Sequence, residues 1–456
     1  MIRRVCLALP TNRECAAAIY LLAKEADYAV RNFGVEVCLL ILDTCDGEAF
    51  SRNFRATRDL PPYKNVFPVH LNSAAQKHHL RKIIDRAGIN GPDRILDLML
   101  PDGVSYGACT NRAFLIGSSL GCDSIHRRDS DSLYQVVNGT TVFPIHQELL
   151  SLGKKAGDAK AAVSDVVLDP IHESKPVSMV GSSFIGEMSV DIGDIYTLDR
   201  EIYYDIVSLW ADNHCSPEER RKLADISFKG SGTDKFNHDR STLTIVDPMN
   251  IDMCNISFYQ VYEDVPLPPA TDTIGSDYFL MHAVECARLP GVRHNRHIEN
   301  FYTRERKTDA GFMAYHMRLT KFFLSMLYFH HIYKNMARAG ESLLDPGHHI
   351  LISPIMEIAR QSLQLDKREN EHKLNVLTVA YTRLGGRYAS FAELIAGQRQ
   401  QLLQKAEQDI NDFTVLMEAW ASLMNASKNA YLPEAGLCGS CIDIEPLHPE
   451  LGDAEI

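Results

Sequence analysis

The chain reads as an α/β protein, a mixed, mostly parallel sheet flanked by helices and followed by a helical C-terminal extension. Three observations predict this. The first fifty residues alternate strand and helix signals. The middle turns to Gly, Ser and Asp with short β-prone runs, and beyond about residue 310 apolar residues recur at threes and fours. At 456 residues the chain exceeds the roughly 250–300 at which one core stops growing. We therefore place a sheet domain over 1–305, a helical extension over 306–432 and a loosely ordered tail over 433–456, rich in Gly, Pro and acids.

Val5 to Leu9 is a continuous apolar run, as a parallel strand covered on both faces requires, and Pro10-Thr11-Asn12-Arg13 follows as a turn. Ala16 to Phe33 has helical spacing and closes at Gly34. Val35 to Asp43 is a second buried strand. Strand, helix and strand in this order make a parallel unit with a right-handed crossover. Its ligand side is the carboxyl end of the strands, where Thr11, Asn12 and Asp43 fall. Val66 to Leu71 predicts a third strand and Ala74 to Ala87 a basic amphipathic helix. Leu243 to Val246 and Ile256 to Val261 predict short strands, and Phe312 to Ala339, His349 to Leu363 and Phe391 to Met424 predict helices.

With 45% hydrophobic and 23% charged residues the composition is globular, and a net charge of -12 supplies no field that would draw nucleic acid or an anionic membrane. No stretch reaches the roughly 18 to 20 apolar residues of a membrane span; the richest, Phe322 to Tyr333, is interrupted by His330 and His331. A cytoplasmic location is the expectation. The eleven cysteines are scattered, which suits reduced thiols, and the Cys438-Gly439-Ser440-Cys441 pair lacks a second half to complete a zinc site.

The chemistry concentrates in Tyr106 to Ser132. Asn111-Arg112 opens a helix-like run, and Asp129-Ser130-Asp131 follows a short extended segment. Two carboxylates one residue apart can share a hard divalent cation with phosphate oxygens. The bland alternatives are a solvated loop for the aspartates and, for Arg112, an ion pair to one of them. The Gly-rich stretches Met179 to Glu187 and Lys229 to Asp234 let backbone approach a phosphate or sugar, but neither matches a P-loop or a dinucleotide fingerprint.

Asn-Arg, a Gly-Cys-Asp turn and Asp-x-Asp in this order resemble the donor-site region of glycosyltransferases of the GT-A fold, especially the large family-2-like group. The resemblance covers Val5 to Asp46, Tyr106 to Asp131 and Ile274 to Arg306. It departs from the pattern in two places: Arg127-Arg128 precedes the acidic motif, and Gly-Ser-Asp stands where Glu-Asp is common.

What the resemblance implies is a GT-A-like sheet that binds a nucleoside-diphosphate sugar and Mn²⁺ or Mg²⁺. Asp129 and Asp131 would ligate the metal. Pro10, Thr11, Asn12, Arg13 and Asp43 would hold base and ribose, with Asn111 and Arg112 near the phosphates. Asp277, leading into a helix after a Pro-rich loop, would be the general base on the acceptor hydroxyl, an inverting role; without a base, retention is the default. From the basic cluster Arg293 to Lys307, His297 or His294 would add a metal ligand and Arg304 or Arg306 would clamp the leaving diphosphate. The acceptor would be a small molecule or peptide-like. Turn capping competes for Asp43 and Asp277, and a solvated face for the basic cluster. Two rivals remain: a nucleotidyltransferase on a similar sheet, and a non-enzymatic scaffold or binding protein whose C-terminal helices build a homo-oligomer.

Overall fold

The computed structural model describes residues 3–190, 192–302 and 304–430. The predicted tail, with Cys438 and Cys441, lies outside the described residues. A nine-stranded sheet forms the centre. Its first four strands, β1 (Arg4–Thr11), β2 (Glu36–Asp43), β3 (Val66–Leu71) and β4 (Ser124–Arg128), are parallel in the order β3-β2-β1-β4. The sheet continues through Asn255–Tyr259, antiparallel to β4, then Met179–Gly181, Gly291–His294, Ser241–Thr244 and Asp165–Val166. It is thus mixed, as expected, with its parallel run at the N-terminal edge.

β1 runs through Pro10 and Thr11, two residues past the predicted end. Pairing of β4 with β1 stops at Ala8, so the carboxyl end of β1 has a neighbour on one side only, where proline's missing N–H is tolerated. Alternation along β1 sends Val5, Leu7 and Leu9 to one face and Cys6 and Ala8 to the other. The first face is covered by α1 (Ala16–Phe33), which ends at Gly34 with φ 65° as the glycine predicts. Across the sheet lie α3 (Ser73–Ala87), α4 (Pro92–Met99) and α5 (Tyr106–Ser119); α2 (Gly47–Arg58) follows β2.

The C-terminal region is helical: Asp309–Ala339, Ile352–Ser362, Arg368–Leu384, Gly386–Gly397 and Arg399–Lys428. The single helix expected from Phe391 to Met424 is broken at Gln398, and Arg368–Leu384 escaped the sequence pattern. One apolar core runs unbroken from Cys6 and Phe114 to the fully buried Trp420, whose indole donates to the Tyr262 carbonyl at 3.1 Å. The helices therefore pack as a layer on the sheet. No helix among the described residues is long and apolar enough to cross a membrane.

α5 shows how tightly the parts fit. A Cβ on Gly107 would lie 1.9 Å from the Pro268 carbonyl, so only glycine allows the Pro-rich loop to rest there. Asn111 clamps that loop through both backbone groups of Leu267, each at 2.8 Å.

Candidate functional site

The strand β4 points successive side chains to opposite faces. His126 and Arg128 face α1, where Arg128 meets Glu25 at 2.9 Å and Glu148 at 3.0 Å, and His126 Nδ1 lies 2.6 Å from Glu148. Tyr134 donates to Glu25 in the same closed cluster. Arg127 faces the opposite way, 2.6 Å from Asp277 and 3.1 Å from Asp129. The cluster around Arg128 thereby fixes the register that carries Arg127, Asp129 and Asp131 to the sheet's rim.

At the rim Asp131 pairs with Arg13 at 2.9 Å. Asp277 sits in the 3-10 turn Ser276–Tyr278, and Tyr278 donates to Asp252. Burial, then the neighbouring carboxylates of Asp131, Asp252 and Asp277, push Asp129 up to about 6 against the pull of Arg127. Burial also raises Asp277, partly offset by Arg127. Mutual repulsion of crowded carboxylates makes this a place where added positive charge is favoured.

Two cavities meet here. A cleft of about 760 Å³ runs along the carboxyl ends of β1 and β2 and is lined by Pro10, Thr11, Asn12, Arg13, Lys77 and Arg318, among others. A pocket of about 220 Å³ on the other side is mostly apolar and contains Asp252 and Asp277. Tyr106, Arg127, Asp129, Asp131 and Tyr315 line both, so the acidic pair stands at the junction.

The remaining expectations fare unevenly. Asp43 does not open onto either cavity. It is fully buried and accepts from Cys45 N at 2.8 Å, Asn53 Nδ2 at 2.9 Å and His70 Nε2 at 3.1 Å, which makes it the anchor of the turn into α2. Burial would raise its carboxyl, but these hydrogen bonds outweigh burial and hold it low. Asn111 is likewise a structural clamp. Arg112 touches the cleft, yet its guanidinium is spent on Gln76 (2.8 Å) and the Met99 carbonyl (2.6 Å); neither aspartate is its partner.

His294 and His297 line neither cavity. Burial lowers them to about 3 and about 4, and His297 Nδ1 is engaged by Ser182 Oγ at 2.7 Å. Arg304 is exposed and away from both cavities, and the Arg306 side chain lies outside the described part of the structure. Gly230 belongs to the apolar pocket, where a Cβ would strike Phe184 at 2.6 Å, and not to the cleft. Among the described residues no group of three or more His, Cys, Asp or Glu side chains is arranged around a metal.

Sequence reasoning named none of Lys77, Arg127, Asp252 and Arg318 as a site residue, although Asp252 falls in the run Asp247 to Asn255 that the resemblance places on the acceptor side. Arg318 had a signal: Gly311, Ala314, Tyr315 and Arg318 share one face of the helix Asp309–Ala339 and all line the cleft. Its Nε is buried and has no hydrogen-bond partner among the described residues, and the guanidinium lies 5.2 Å from the Tyr315 ring centre. A fixed cation held this way suits an anionic ligand.

The chain belongs to a family of unknown function, DUF6271, whose profile matches residues 3–436. No protein of curated function matches it.

Proposed function

We propose that this chain is a metal-dependent glycosyltransferase of GT-A type, moving a sugar from a nucleoside-diphosphate donor to an acceptor hydroxyl or amine. The observation that carries this reading is the position of Asp129 and Asp131 at the junction of a large, cation-lined cleft and a smaller pocket that holds a buried carboxylate. Transfer between two substrates needs two such spaces and a charge-handling group between them.

Asp129 and Asp131 are the residues that would hold Mn²⁺ or Mg²⁺. The crowding that raises Asp129 is what a cation relieves, and two carboxylates suffice because Mg²⁺-like ions complete their shell with phosphate oxygens and water. The metal, when bound, supplies neutralisation of the leaving diphosphate. Arg13, Lys77 and Arg318 add fixed or mobile cations along the cleft, taking the place assigned by sequence to Arg304 and Arg306. Thr11 Oγ1 donates to the Arg13 carbonyl at 3.0 Å and so shapes the turn that receives the nucleoside. Asp277 is the base: burial weakens it as an acid, and Arg127 at 2.6 Å orients it.

A thermal-shift screen of UDP-, GDP- and dTDP-sugars with and without Mn²⁺ tests the reading, since ligand binding raises apparent stability. The expected outcome is a shift that needs both metal and sugar nucleotide and disappears when Asp129→Asn is combined with Asp131→Asn. A shift of equal size in that double variant overturns the metal assignment; no shift with any sugar nucleotide overturns the function.

A further inference from the structure

The smaller pocket has a composition that narrows the acceptor. Nine of its 31 lining residues are Phe, Tyr or Trp, against 8% of the whole chain, so its walls select for rings. One wall is the triad Trp210, Phe228 and Phe322, with Trp210 and Phe228 5.9 and 6.2 Å, respectively, from Phe322 between ring centres. Trp210 is oriented by its indole N–H, which donates to Ser227 Oγ at 2.9 Å. Phe322 packs against Gly275, where a Cβ would come within 3.0 Å of the ring. Elsewhere in the lining Tyr333 stacks on Phe329 at 5.6 Å and on His282 at 3.9 Å. Met249, Met253 and Met326 fill between, with thioethers that adapt to flat ligands.

The charged side chains of the lining are Arg127, Asp129, Asp131, Asp252 and Asp277, and Arg127 pairs with Asp277 at 2.6 Å. A sugar or peptide acceptor brings many hydrogen-bonding groups into a lining that is mostly apolar and rich in rings, at the cost of part of their hydration. A flat ring with a single hydroxyl loses nothing by entering, and the faces of the wall rings attract its edges.

We infer that this pocket takes an aryl alcohol, a planar aromatic molecule whose phenolic hydroxyl is presented to Asp277; the inference rests on the glycosyl-transfer reading. In the reaction the phenolic oxygen forms a bond to the anomeric carbon as the bond from that carbon to the diphosphate oxygen breaks. The diphosphate leaves with the electron pair and the phenolic proton passes to Asp277. A phenol, with an ordinary pKa of about 10, needs less of a base than an alkyl alcohol does, which suits a carboxylate already paired with Arg127.

The test is binding of 2-naphthol, with neither donor nor metal, to the full chain carrying Trp420→Phe. The chain's two tryptophans are Trp210 and Trp420, and Trp420 is buried in the helical layer and is not one of the pocket's lining residues, so this substitution leaves Trp210 as the reporter. Expected is saturable quenching of Trp210, at least tenfold tighter for 2-naphthol than for n-octanol or cyclohexylmethanol. Met326→Phe, which fills the pocket, should weaken 2-naphthol at least tenfold. Should that variant fail to fold by circular dichroism, Ile226→Glu, at an exposed lining position, should do the same. No saturation, equal affinity for n-octanol, or indifference to both substitutions overturns the inference. A metal-dependent donor shift without 2-naphthol binding overturns the aryl acceptor alone. Binding of 2-naphthol without any donor shift upholds the pocket and sinks the sugar-transfer premise instead.

Discussion

Arg127 and Arg128 are neighbours on one strand, both buried and both paired with two carboxylates, yet they belong to opposite kinds of site. Around Arg128 the cations win: burial would raise Glu148, but Arg128 and His126 hold it down at about 2. Around Arg127 burial, reinforced by the neighbouring carboxylates, outweighs the cation, and Asp129 stands at about 6. The first cluster is sealed between β4, α1 and the helix Ile145–Ser151. The second opens onto two cavities. The contrast teaches that burial of charge is no guide to function by itself; unresolved repulsion beside a cavity is the better sign.

The largest expected effect separates the clusters by activity. Asp277→Asn removes the proposed proton acceptor, and turnover of a sugar nucleotide with an aryl alcohol should fall by about 10²–10⁴-fold, while the donor-induced thermal shift persists. Steady-state kinetics with the shift measured in parallel checks this, and a loss confined to KM would reassign Asp277 to binding.

Next comes the sealed cluster. Arg128→Met leaves Glu25 and Glu148 buried without their cation, so urea unfolding should show a loss of about 3–5 kcal/mol, as for other broken buried pairs. A loss below about 1 kcal/mol would mean that the cluster is not the anchor of β4.

Legibility in the sequence divides along similar lines. β1 and β2 were readable because a strand buried on both faces is a local apolar run, and Gly34 marked the end of α1. Asp129 and Asp131 were readable because the two carboxylates sit within three residues of each other. Asp252 and Arg318 were not, since they reach the rim from the loop before Asn255–Tyr259 and from a helix nearly two hundred residues after β4. Asp43 was misread for the complementary reason. Its environment is made by Asn53 and His70, and nothing local says whether an acid at a strand end faces a ligand or caps a turn. In the C-terminal layer, apolar periodicity carries across a break in the helix, so the ends at Gly397 and Leu384 escaped the pattern.

A smaller effect follows from removing only one anion of the sealed cluster. Glu148→Gln should cost about 2 kcal/mol at neutral pH, discounted from the full shift because His126 can reorganise. The sign of its pH dependence is set by the depressed carboxyl. The stabilisation is complete above the unfolded value near 4.5 and is lost as pH falls through about 2. The difference between variant and native chain should therefore hold steady from pH 7 to 5 and shrink only below 4.5. Urea titrations at several pH values read this directly, and a difference that shrinks already at pH 6 would contradict the assignment.

Asp129→Asn should behave in the reverse sense with the smallest energy. A carboxyl raised from 3.8 to about 6 favours the folded chain most when protonated: that contribution is complete below 3.8 and is lost as pH rises through about 6. Replacing the charge by a neutral amide should thus stabilise the metal-free protein at pH 7. Because the side chain keeps 29% of its surface exposed, solvent screening limits the gain to about 1 kcal/mol. Below about pH 3.8 the folded and unfolded chains both carry the proton and the two proteins should unfold together. If Asp129→Asn instead destabilises at pH 7, the ion pair with Arg127 outweighs the repulsion among the carboxylates, and the rim would be a second sealed cluster rather than a site waiting for a cation.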